Sequence, residues 1–419
     1  MKFDLVGAGD SVLFQRIESI TLPGFQGLVD LIKKADIACV NLEGSTPVEP
    51  WHPAYKEDPI HVAYDAFVLD ELVKMGFQVF NTANNHSGDY GTKGIVDTIS
   101  ELRSRKLIFM GTGMDLQEAS APVYTKTGSG TIAWIGLTAS FLKESQAAVS
   151  GLGRSGKPGV NMLRCLPEFT LPYAEYNRLY DMWCYMNGQK NDADSKGFTW
   201  DGKLFVPYER KTFDYRVNQE DMQRINVVIE KARSKADVVI ISVHDHLGRD
   251  GVECSLHPSD MMVEAFHSWI DEGADMIFAH GAHKMRPMEL YKEKPVFYST
   301  GNFMLDLRHL VKHPYGDLLH FGCKSMEEYI DFLCSAFDDD SWDSVLPYCH
   351  YQNGRFDKIQ LYPISLAHDM ADTQNYGMPE LADGKRAVEI LEKFSNISKD
   401  YHVNIKIERS GNTYAGILV

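Results

Sequence analysis

The sequence lacks the features that mark several common protein classes. It contains no C-x-x-C spacing and no apolar run of membrane length, and its seven cysteines are scattered and odd in number. That usage argues against a disulfide framework and against a zinc knuckle. Positive charge is scarce, because 42 Lys and Arg stand against 58 Asp and Glu and leave a formal net charge of −16. We therefore expect no nucleic-acid partner, whereas this charge balance does not exclude a small anionic substrate.

The N-terminus also lacks the charged and apolar regions of a signal peptide and runs directly into an apolar strand. Together with the scattered thiols, this predicts a cytoplasmic protein without membrane insertion. The composition, 44% hydrophobic and 24% charged, is typical of a globular chain with an ample core. It does not indicate an oligomeric state.

Short apolar segments alternate with amphipathic ones along most of the 419 residues, which predicts a parallel sheet with helices on both faces. The predicted strands are 3–6, 37–40, 78–80, 107–110, 131–137, 237–243, 275–279, 295–298, 358–363 and 403–408. The predicted helices are 24–35, 65–75, 92–106, 172–187, 218–235, 257–272 and 383–398.

The alternation fails in two long segments that are rich in aromatic residues. Long irregular insertions in a compact domain are often lids or binding loops. We expect one domain over 1–419, with 151–219 as an insertion that caps the site and 304–353 as a second irregular insertion. Residues 355–419 are expected to close the domain as strand, helix and strand. Both insertions are predicted to fold over the cleft and to determine substrate choice.

Polar side chains follow the predicted strands at their carboxyl ends. Because these ends meet at one edge of a parallel sheet, the side chains are expected to converge in one cleft. The set consists of Asp10, Glu43, Asn85, His86, His244, His280 and His283. Carboxylates, an amide oxygen and imidazoles without a thiolate are typical ligands of a hard or borderline metal ion. The set therefore predicts a metal site.

One member of this set, His86, lies in the stretch from Asn81 to Gly91 between a predicted strand and a predicted helix. Taken alone, that stretch is also explained by a turn. In such a turn the Asn and Gly residues adopt left-handed backbone conformations and Asp89 makes local hydrogen bonds. Beside a metal site, His86 is expected to act in proton transfer to the leaving group.

The order of these motifs resembles the CapA family, the poly-γ-glutamate capsule-synthesis proteins with a calcineurin-like metallophosphoesterase fold. The resemblance covers most of 1–150 and 220–303, and more loosely 355–400. It implies an α/β fold, a four-layer α/β/β/α sandwich with inserted cap segments and the site at the edge that the two sheets share. The matching segments are Gly9-Asp10, Asn41-Leu42-Glu43, Ala83-Asn84-Asn85-His86 with Asp89-Tyr90-Gly91, Gly111-Thr112-Gly113, Pro158-Gly159-Val160-Asn161, His244, Gly273-Ala274-Asp275 through His280 and His283, and Tyr298-Ser299 through Gly301-Asn302-Phe303.

The resemblance also implies roles for the matching residues. Catalysis is assigned to His86, Asp10 and His283. Substrate contact is expected of Asn84, His246 and Asn302. The implied metal ligands are Asp10, Glu43, Asn85, His244, His280 and His283.

The resemblance implies two metal positions, as in two-metal phosphoesterases, and three departures from the family pattern weaken one of them. Val12 stands where a histidine is usual, Glu43 replaces the bridging aspartate, and His244-Asp245-His246 replaces His-Trp-Gly. We expect one Mn, Zn or Fe ion held tightly, or none. The complete position would use Glu43, Asn85, His244 and His280, and the weak one Asp10, Glu43 and His283.

Several functions are compatible with such a site. The first is metal-assisted hydrolysis or amide-bond chemistry on a peptide-like, γ-glutamyl or other acidic substrate, with His86 in proton transfer. The second is phosphoester hydrolysis, which rests on the fold alone. The third is metal-independent epimerisation at a peptide Cα, with Asp10 as base and His86 or His283 as acid. A non-enzymatic binding protein ranks last.

Overall fold

The structure, a computed structural model, describes residues 1–50, 52–56, 60–128, 130–151, 153–192, 195–310, 318, 320–411 and 413–418. The architecture is mixed α/β, as the alternation of elements predicted. Within the described ranges, no helix combines the length and the apolar character that crossing a bilayer requires.

The larger sheet is organised around its first strand, which carries Asp10. Within the described residues the sheet has ten strands, namely β1 (Lys2–Val12), β2 (Ile37–Leu42), β3 (Val79–Asn81), β4 (Ile108–Met110), β17 (Asn302–Leu305), β18 (Asp343–Gln352), β19 (Arg355–Leu366), β20 (Pro379–Leu381), β21 (Ile405–Ser410) and β22 (Thr413–Leu418). Their order is β21-β22-β19-β18-β1-β2-β3-β4, with β17 paired to β1 and β20 to β19. From β1 to β4 the strands are parallel, whereas β18 runs antiparallel to β1.

The smaller sheet carries the histidine-bearing strands and has the order β15-β16-β14-β13-β7-β6. Its strands are β6 (Val123–Thr127), β7 (Gly130–Thr138), β13 (Val238–His244), β14 (Met276–His280), β15 (Met288–Tyr291) and β16 (Lys294–Phe297). The four strands at its centre, β7, β13, β14 and β16, are parallel. Their carboxyl ends therefore lie on one side of the sheet.

Two further groups of strands stand apart from the main sheets. They are β9 (Cys165–Pro172), β10 (Phe198–Trp200), β11 (Lys203–Tyr208) and β12 (Thr212–Val217), and the short pair β5 (Thr112–Gly113) and β8 (Gly159–Val160). The helices are α1 (Phe25–Lys34), α2 (Phe67–Met75), α3 (Gly91–Ser104), α4 (Leu116–Ser120), α5 (Tyr173–Asn187), α6 (Gln219–Arg233), α7 (Asp260–Asp271), α8 (Met326–Ser335) and α9 (Gly384–Ser398).

Hydrophobic clusters fix how these elements pack. One joins the two sheets and brings Leu5 of β1 together with Ile240 of β13. Val6, the next residue of β1, belongs instead to a cluster with Ile32 of α1, because successive strand side chains point to opposite faces. A third cluster packs α6 and α7 on the smaller sheet and includes Trp269. Both sheets therefore pack against helices, and the cluster that joins the two sheets also includes Leu391 of α9.

The predicted strands and helices of the two main sheets are confirmed to within a few residues, except that β1 continues from its predicted end at Val6 to Val12. Two predicted segments are wrong in part. Residues 343–352, assigned to an irregular insertion, form β18 at the centre of the larger sheet. Pro347 and the polar residues of this strand hide its pattern, although nearly all of it is buried. After α9 the chain ends in the hairpin of β21 and β22 rather than in a single strand.

The segment 151–219 is also more regular than predicted. It forms the small sheet of β9 to β12, with α5 packed against it. Its aromatic residues bury one another: Tyr176 and Tyr180 of α5 form a cluster with Phe198 of β10. This local packing explains the aromatic content that the sequence pattern assigned to a cap.

Two fully buried tryptophans offer a matched test of this core. The indole N–H of Trp134 donates to Thr125 Oγ1 at 2.8 Å, whereas that of Trp269 has no hydrogen-bond partner among the described residues. Replacing Trp134 by Phe leaves the Thr125 hydroxyl without its donor, a cost that Trp269→Phe does not incur. We expect Trp134→Phe to lower the free energy of unfolding by about 1 kcal/mol more than Trp269→Phe in urea denaturation. An equal loss, or a larger one for Trp269→Phe, would contradict this assignment.

Candidate metal centre

Strand ends from both sheets meet at one edge and bring the predicted side chains together. In the larger sheet, Asp10 of β1 lies beside Asn41 of β2. In the smaller sheet, His244 and His280 are paired at the ends of β13 and β14. The two groups are adjacent, since Asp10 Oδ1 lies 3.4 Å from His280 Nδ1 and 3.6 Å from His244 Nδ1.

An irregularity in β1 directs Asp10 toward the site. The sequence predicted that this strand ends before Asp10. In the structure it continues to Val12, with shifts in register on both sides of Asp10. Gly9 permits this arrangement, because a Cβ atom there would lie 2.0 Å from the carbonyl oxygen of Gly301. Bulges of this kind re-aim side chains beside active sites.

Both oxygens of Asp10 are satisfied by the protein. Asn41 Nδ2 donates to Oδ1 and the Gly281 N–H donates to Oδ2, each at 2.8 Å. Burial alone would raise the pKa of this carboxyl, but His244 and His280 hold it well below its ordinary value. Asp10 is therefore an ionised carboxylate.

Three imidazoles lie in contact beside it. His244 Nδ1 is 3.1 Å from His280 Nδ1, and His244 Nε2 is 3.0 Å from His246 Nε2. Burial lowers the pKa of His244 to about 4 and that of His246 well below its ordinary value. Both rings are thus neutral at physiological pH, which is the form that binds a metal ion.

A fourth imidazole, His283, is oriented by Asn302. Its Nδ1 donates to Asn302 Oδ1 at 2.9 Å, while Asn302 Nδ2 donates to the carbonyls of His283 and Ser341. This leaves Nε2 of His283 3.6 Å from Glu43 Oε1. A ring nitrogen held in this way fixes the tautomer and direction of a metal-binding histidine.

Glu43 is the least satisfied group of the site. Neither of its carboxylate oxygens has a hydrogen-bond partner among the described residues, and the same is true of Asn85 Oδ1. Burial raises the pKa of Glu43 well above its ordinary value, and the charges of Asp10 and Asp89 raise it further. Buried polar atoms normally have partners, and a divalent cation would supply one here.

The spacing of the donor atoms fits a common ion. Two ligands about 2.1 Å from a tetrahedral ion are about 3.4 Å apart. Glu43 Oε1 lies 3.6 Å from His283 Nε2 and 3.8 Å from His244 Nε2, too far for hydrogen bonds but close to that separation. The residues present therefore fit a divalent metal ion. Three overlapping sets have donor atoms within 4.8 Å of one another: Asp10, His244 and His280; Glu43, His244 and His246; and Asp10, Glu43 and His283.

His86 forms a second group of contacting polar side chains with Asp89 and Lys56. His86 Nδ1 lies 2.7 Å from Asp89 Oδ2, and Lys56 Nζ donates to Asp89 Oδ1 at 2.7 Å. Burial alone would raise the pKa of Asp89, but Lys56 and His86 lower it to about 2. Burial also lowers the pKa of His86. His86 is therefore a neutral imidazole whose Nδ1 proton is held by Asp89, and Nε2 remains for a substrate.

Both units face the same cavity. It has a volume of about 390 Å³, and its polar lining comprises Glu43, Lys56, Asn85, His86, His246, Glu253, Cys254 and His283. Cavities of about 300–1,000 Å³ are usual for small-molecule sites. The arrangement can therefore place one small or extended substrate against the candidate ligands and His86 at once.

Some predicted residues have other places in the structure. Asn84 is buried and holds the loop, since its Nδ2 donates to the Leu42 carbonyl and its Oδ1 accepts from the His86 N–H. None of the described residues of 151–219 lines this cavity. The segment 304–353 does contribute lining residues, from Leu305 to Phe337.

The sequence patterns did not identify several residues that hold the candidate site residues in place. Arg286 is fully buried; its Nη1 donates to Asp245 Oδ2 at 3.0 Å and its Nε to the Ser255 carbonyl at 2.9 Å. This pair ties down the segment that carries His244 and His246. A lone arginine among apolar residues was the only sequence signal for it. Lys56 had none, because nothing local links it to Asp89.

Comparison with known proteins places this site in a family. The model of the family described as "Bacterial capsule synthesis protein PGA_cap" matches residues 4–307, a range that contains every candidate ligand. An uncharacterized protein of Sinorhizobium fredii (strain NBRC 101917 / NGR234) is 28% identical over 435 aligned positions, covering 97% of this chain and 91% of the relative.

Two Bacillus proteins are similar over a shorter length. The PGA biosynthesis protein CapA of Bacillus subtilis (strain 168) is 27% identical over 308 positions, covering 71% of this chain and 62% of the relative. The capsule biosynthesis protein CapA of Bacillus anthracis is 22% identical over 311 positions, covering 73% of this chain and 60% of the relative. Since the family model matches well over half of its length, the chain belongs to the PGA_cap family of bacterial capsule synthesis proteins.

Proposed function

We propose that this chain is an enzyme that hydrolyses an amide bond in a peptide-like substrate, using one divalent transition-metal ion and His86 for proton transfer. The observation that carries the proposal is Glu43, whose two buried oxygens have no hydrogen-bond partner among the described residues. They lie among neutral imidazoles and beside the cavity that His86 also lines.

The fold supports the same proposal. Two main sheets share one hydrophobic cluster, and helices cover their other faces. We assign this packing to the four-layer α/β/β/α sandwich of calcineurin-like metallophosphoesterases. Metal ligands of that fold lie at the carboxyl ends of strands, and His244 lies at such an end with Asp10 and His280 beside it. The likeness of fold raises the expectation of metal chemistry without naming the substrate.

We assign the ion to Glu43, His244, His246 and His283, with Asn85 as an additional oxygen donor. Glu43 Oε1 lies within 3.8 Å of the Nε2 atoms of both His244 and His283. His246 Nε2 lies 3.0 Å from His244 Nε2. The sequence predicted that His246 contacts the substrate, whereas this assignment makes it a metal ligand.

The same assignment gives Asp10 an orienting role. Its oxygens already accept hydrogen bonds from Asn41 and Gly281, and its Oδ1 faces Nδ1 of His244 rather than Nε2. A carboxylate on the far side of a ligating imidazole fixes the ring and raises its basicity. His280 extends this support, since its Nδ1 contacts His244 Nδ1 and its Nε2 lies 3.0 Å from Ser242 Oγ.

A divalent ion bound at this position supplies Lewis acidity toward the amide carbonyl and lowers the pKa of water. The neutral His86 accepts a proton at Nε2 from the attacking water and then donates it to the leaving nitrogen. Asp89 stabilises the imidazolium form between these two transfers through its 2.7 Å contact with Nδ1. Lys56 keeps Asp89 ionised throughout, because it pairs with the other carboxylate oxygen.

Metal-independent epimerisation at a peptide Cα is the second candidate. It is favoured by two titratable imidazoles, His86 and His246, on one cavity, because one unprotonated ring must remove the Cα proton while the other, in its protonated form, returns a proton. Epimerisation without a metal ion does not explain why the two buried oxygens of Glu43 lack hydrogen-bond partners among the described residues. Phosphoester hydrolysis has less support, because no arginine lines the cavity among the described residues and Lys56 is already paired.

Metal dependence separates the first two candidates. We expect EDTA to abolish release of p-nitroaniline from N-acetyl-L-norleucine p-nitroanilide, and Mn²⁺ or Zn²⁺ to restore it. Glu43→Gln should lower the rate at least ~100-fold, more than loss of an outer-shell partner usually does. Glu389→Gln, which alters an exposed glutamate of α9 that does not line the cavity, is the control and should keep the rate. Full activity in EDTA would refute the metal assignment, and Cα deuterium exchange that survives EDTA would favour epimerisation.

The role of His86 can be tested with the same amide. We expect His86→Ala to lower the rate by about 10²–10⁴-fold while the circular dichroism spectrum and metal content stay unchanged. His350→Ala is the control, because His350 pairs with Asp4 at the opposite end of β1. Unchanged turnover in His86→Ala would exclude proton transfer by this residue. Loss of folding instead of rate would show that the residue serves the turn.

A further inference from the structure

The cavity beside His86 is mostly apolar away from its polar residues. More than half of the residues that line it are aliphatic or aromatic. Several lie in or directly after β17 and α8, and two lie in the segment after β7. We call these the apolar wall, namely Phe14, Phe141, Leu305, Leu307, Leu333 and Phe337.

Two wall residues are half-buried rather than part of a closed core. Phe337 packs edge-on against the ring of His283, with centroids 5.7 Å apart and planes at 88°. Phe141 belongs to a small cluster with Ala83 and Met162, on the side of the loop that carries His86. Both therefore present aromatic surface directly beside groups assigned to the reaction.

The charges of the cavity do not suit an acidic side chain. Lys56 is its only lysine among the described residues, and Asp89 already neutralises it. Glu43 and Glu253 also line the space. A carboxylate bound against the wall would lose water without gaining a cation, which is costly.

We infer that the substrate group next to the reacting amide is an uncharged aliphatic or aromatic side chain that fills the apolar wall. An extended polyanion with a carboxylate at this position is excluded. The inference rests on the proposed function only in placing the reacting amide on the polar side, next to Glu43 and His86. Occupancy of the wall itself can be measured without any reaction.

The test is the affinity of a homologous series, measured by ligand-observed NMR titration in EDTA and again with Zn²⁺. The probes are the N-acetyl amides of alanine, 2-aminobutyrate, norvaline and norleucine, with N-acetylglutamate amide as the acidic comparison. Each added methylene should improve affinity about fourfold until the wall is filled. The glutamate amide should bind more weakly than the 2-aminobutyrate amide.

Variants locate the effect. Phe337→Ala, or Phe141→Ala if the first does not fold, should flatten the dependence on side-chain length. Phe332→Ala is the matched control, because Phe332 is exposed on α8 and does not line the cavity. Affinity that does not change with length, tighter binding of the glutamate amide, absence of saturable binding, or an equal effect of Phe332→Ala would each overturn the inference. A graded series without amide hydrolysis would instead keep the apolar wall and refute only the proposed reaction.

Discussion

Burial of negative charge is the constraint around which this site is built. Asp10 and Glu43 are both inaccessible to water at the edge where the two main sheets meet. Asp10 remains ionised because amide and imidazole groups surround it. Glu43 has no such partners, and the charge of Asp10 makes its own ionisation harder. An uncompensated buried carboxylate is costly, so a cation among the neighbouring imidazoles is the simplest way to stabilise the arrangement.

The rest of the scaffold holds the donor atoms in place. The irregularity at Gly9 turns Asp10 into the site, and the buried pair of Arg286 and Asp245 fixes the segment that carries two histidines. On the other side, the pair of Asp89 and Lys56 positions His86 over the same cavity. The proposed reaction thus depends on two rigid units, one for the ion and one for proton transfer.

Sequence periodicity was sufficient for the parallel strands and for the residues at their ends, because both depend on local patterns that β1, β2, β13 and β14 show clearly. It failed for β18, where polar residues and a proline occupy a buried central strand. Sequence periodicity also could not decide which of the candidate residues bind the metal ion and which only support the site. His246 is grouped with Glu43 as a candidate ligand because their donor atoms lie close together in space, on elements of two different sheets. The spacing of residues along the chain does not predict that distance.

The proposed metal site has one ion bound against Glu43. The most direct measurement is anomalous diffraction from crystals grown with Zn²⁺, with data collected on both sides of the zinc absorption edge. We expect one dominant peak in the anomalous difference map, about 2.0–2.2 Å from a Glu43 oxygen and from ring nitrogens of His244, His246 and His283. A map with no peak at this position, with Glu43 hydrogen-bonded to a neighbouring side chain, would contradict it. Two equally strong peaks sharing Asp10 would contradict the single-ion assignment.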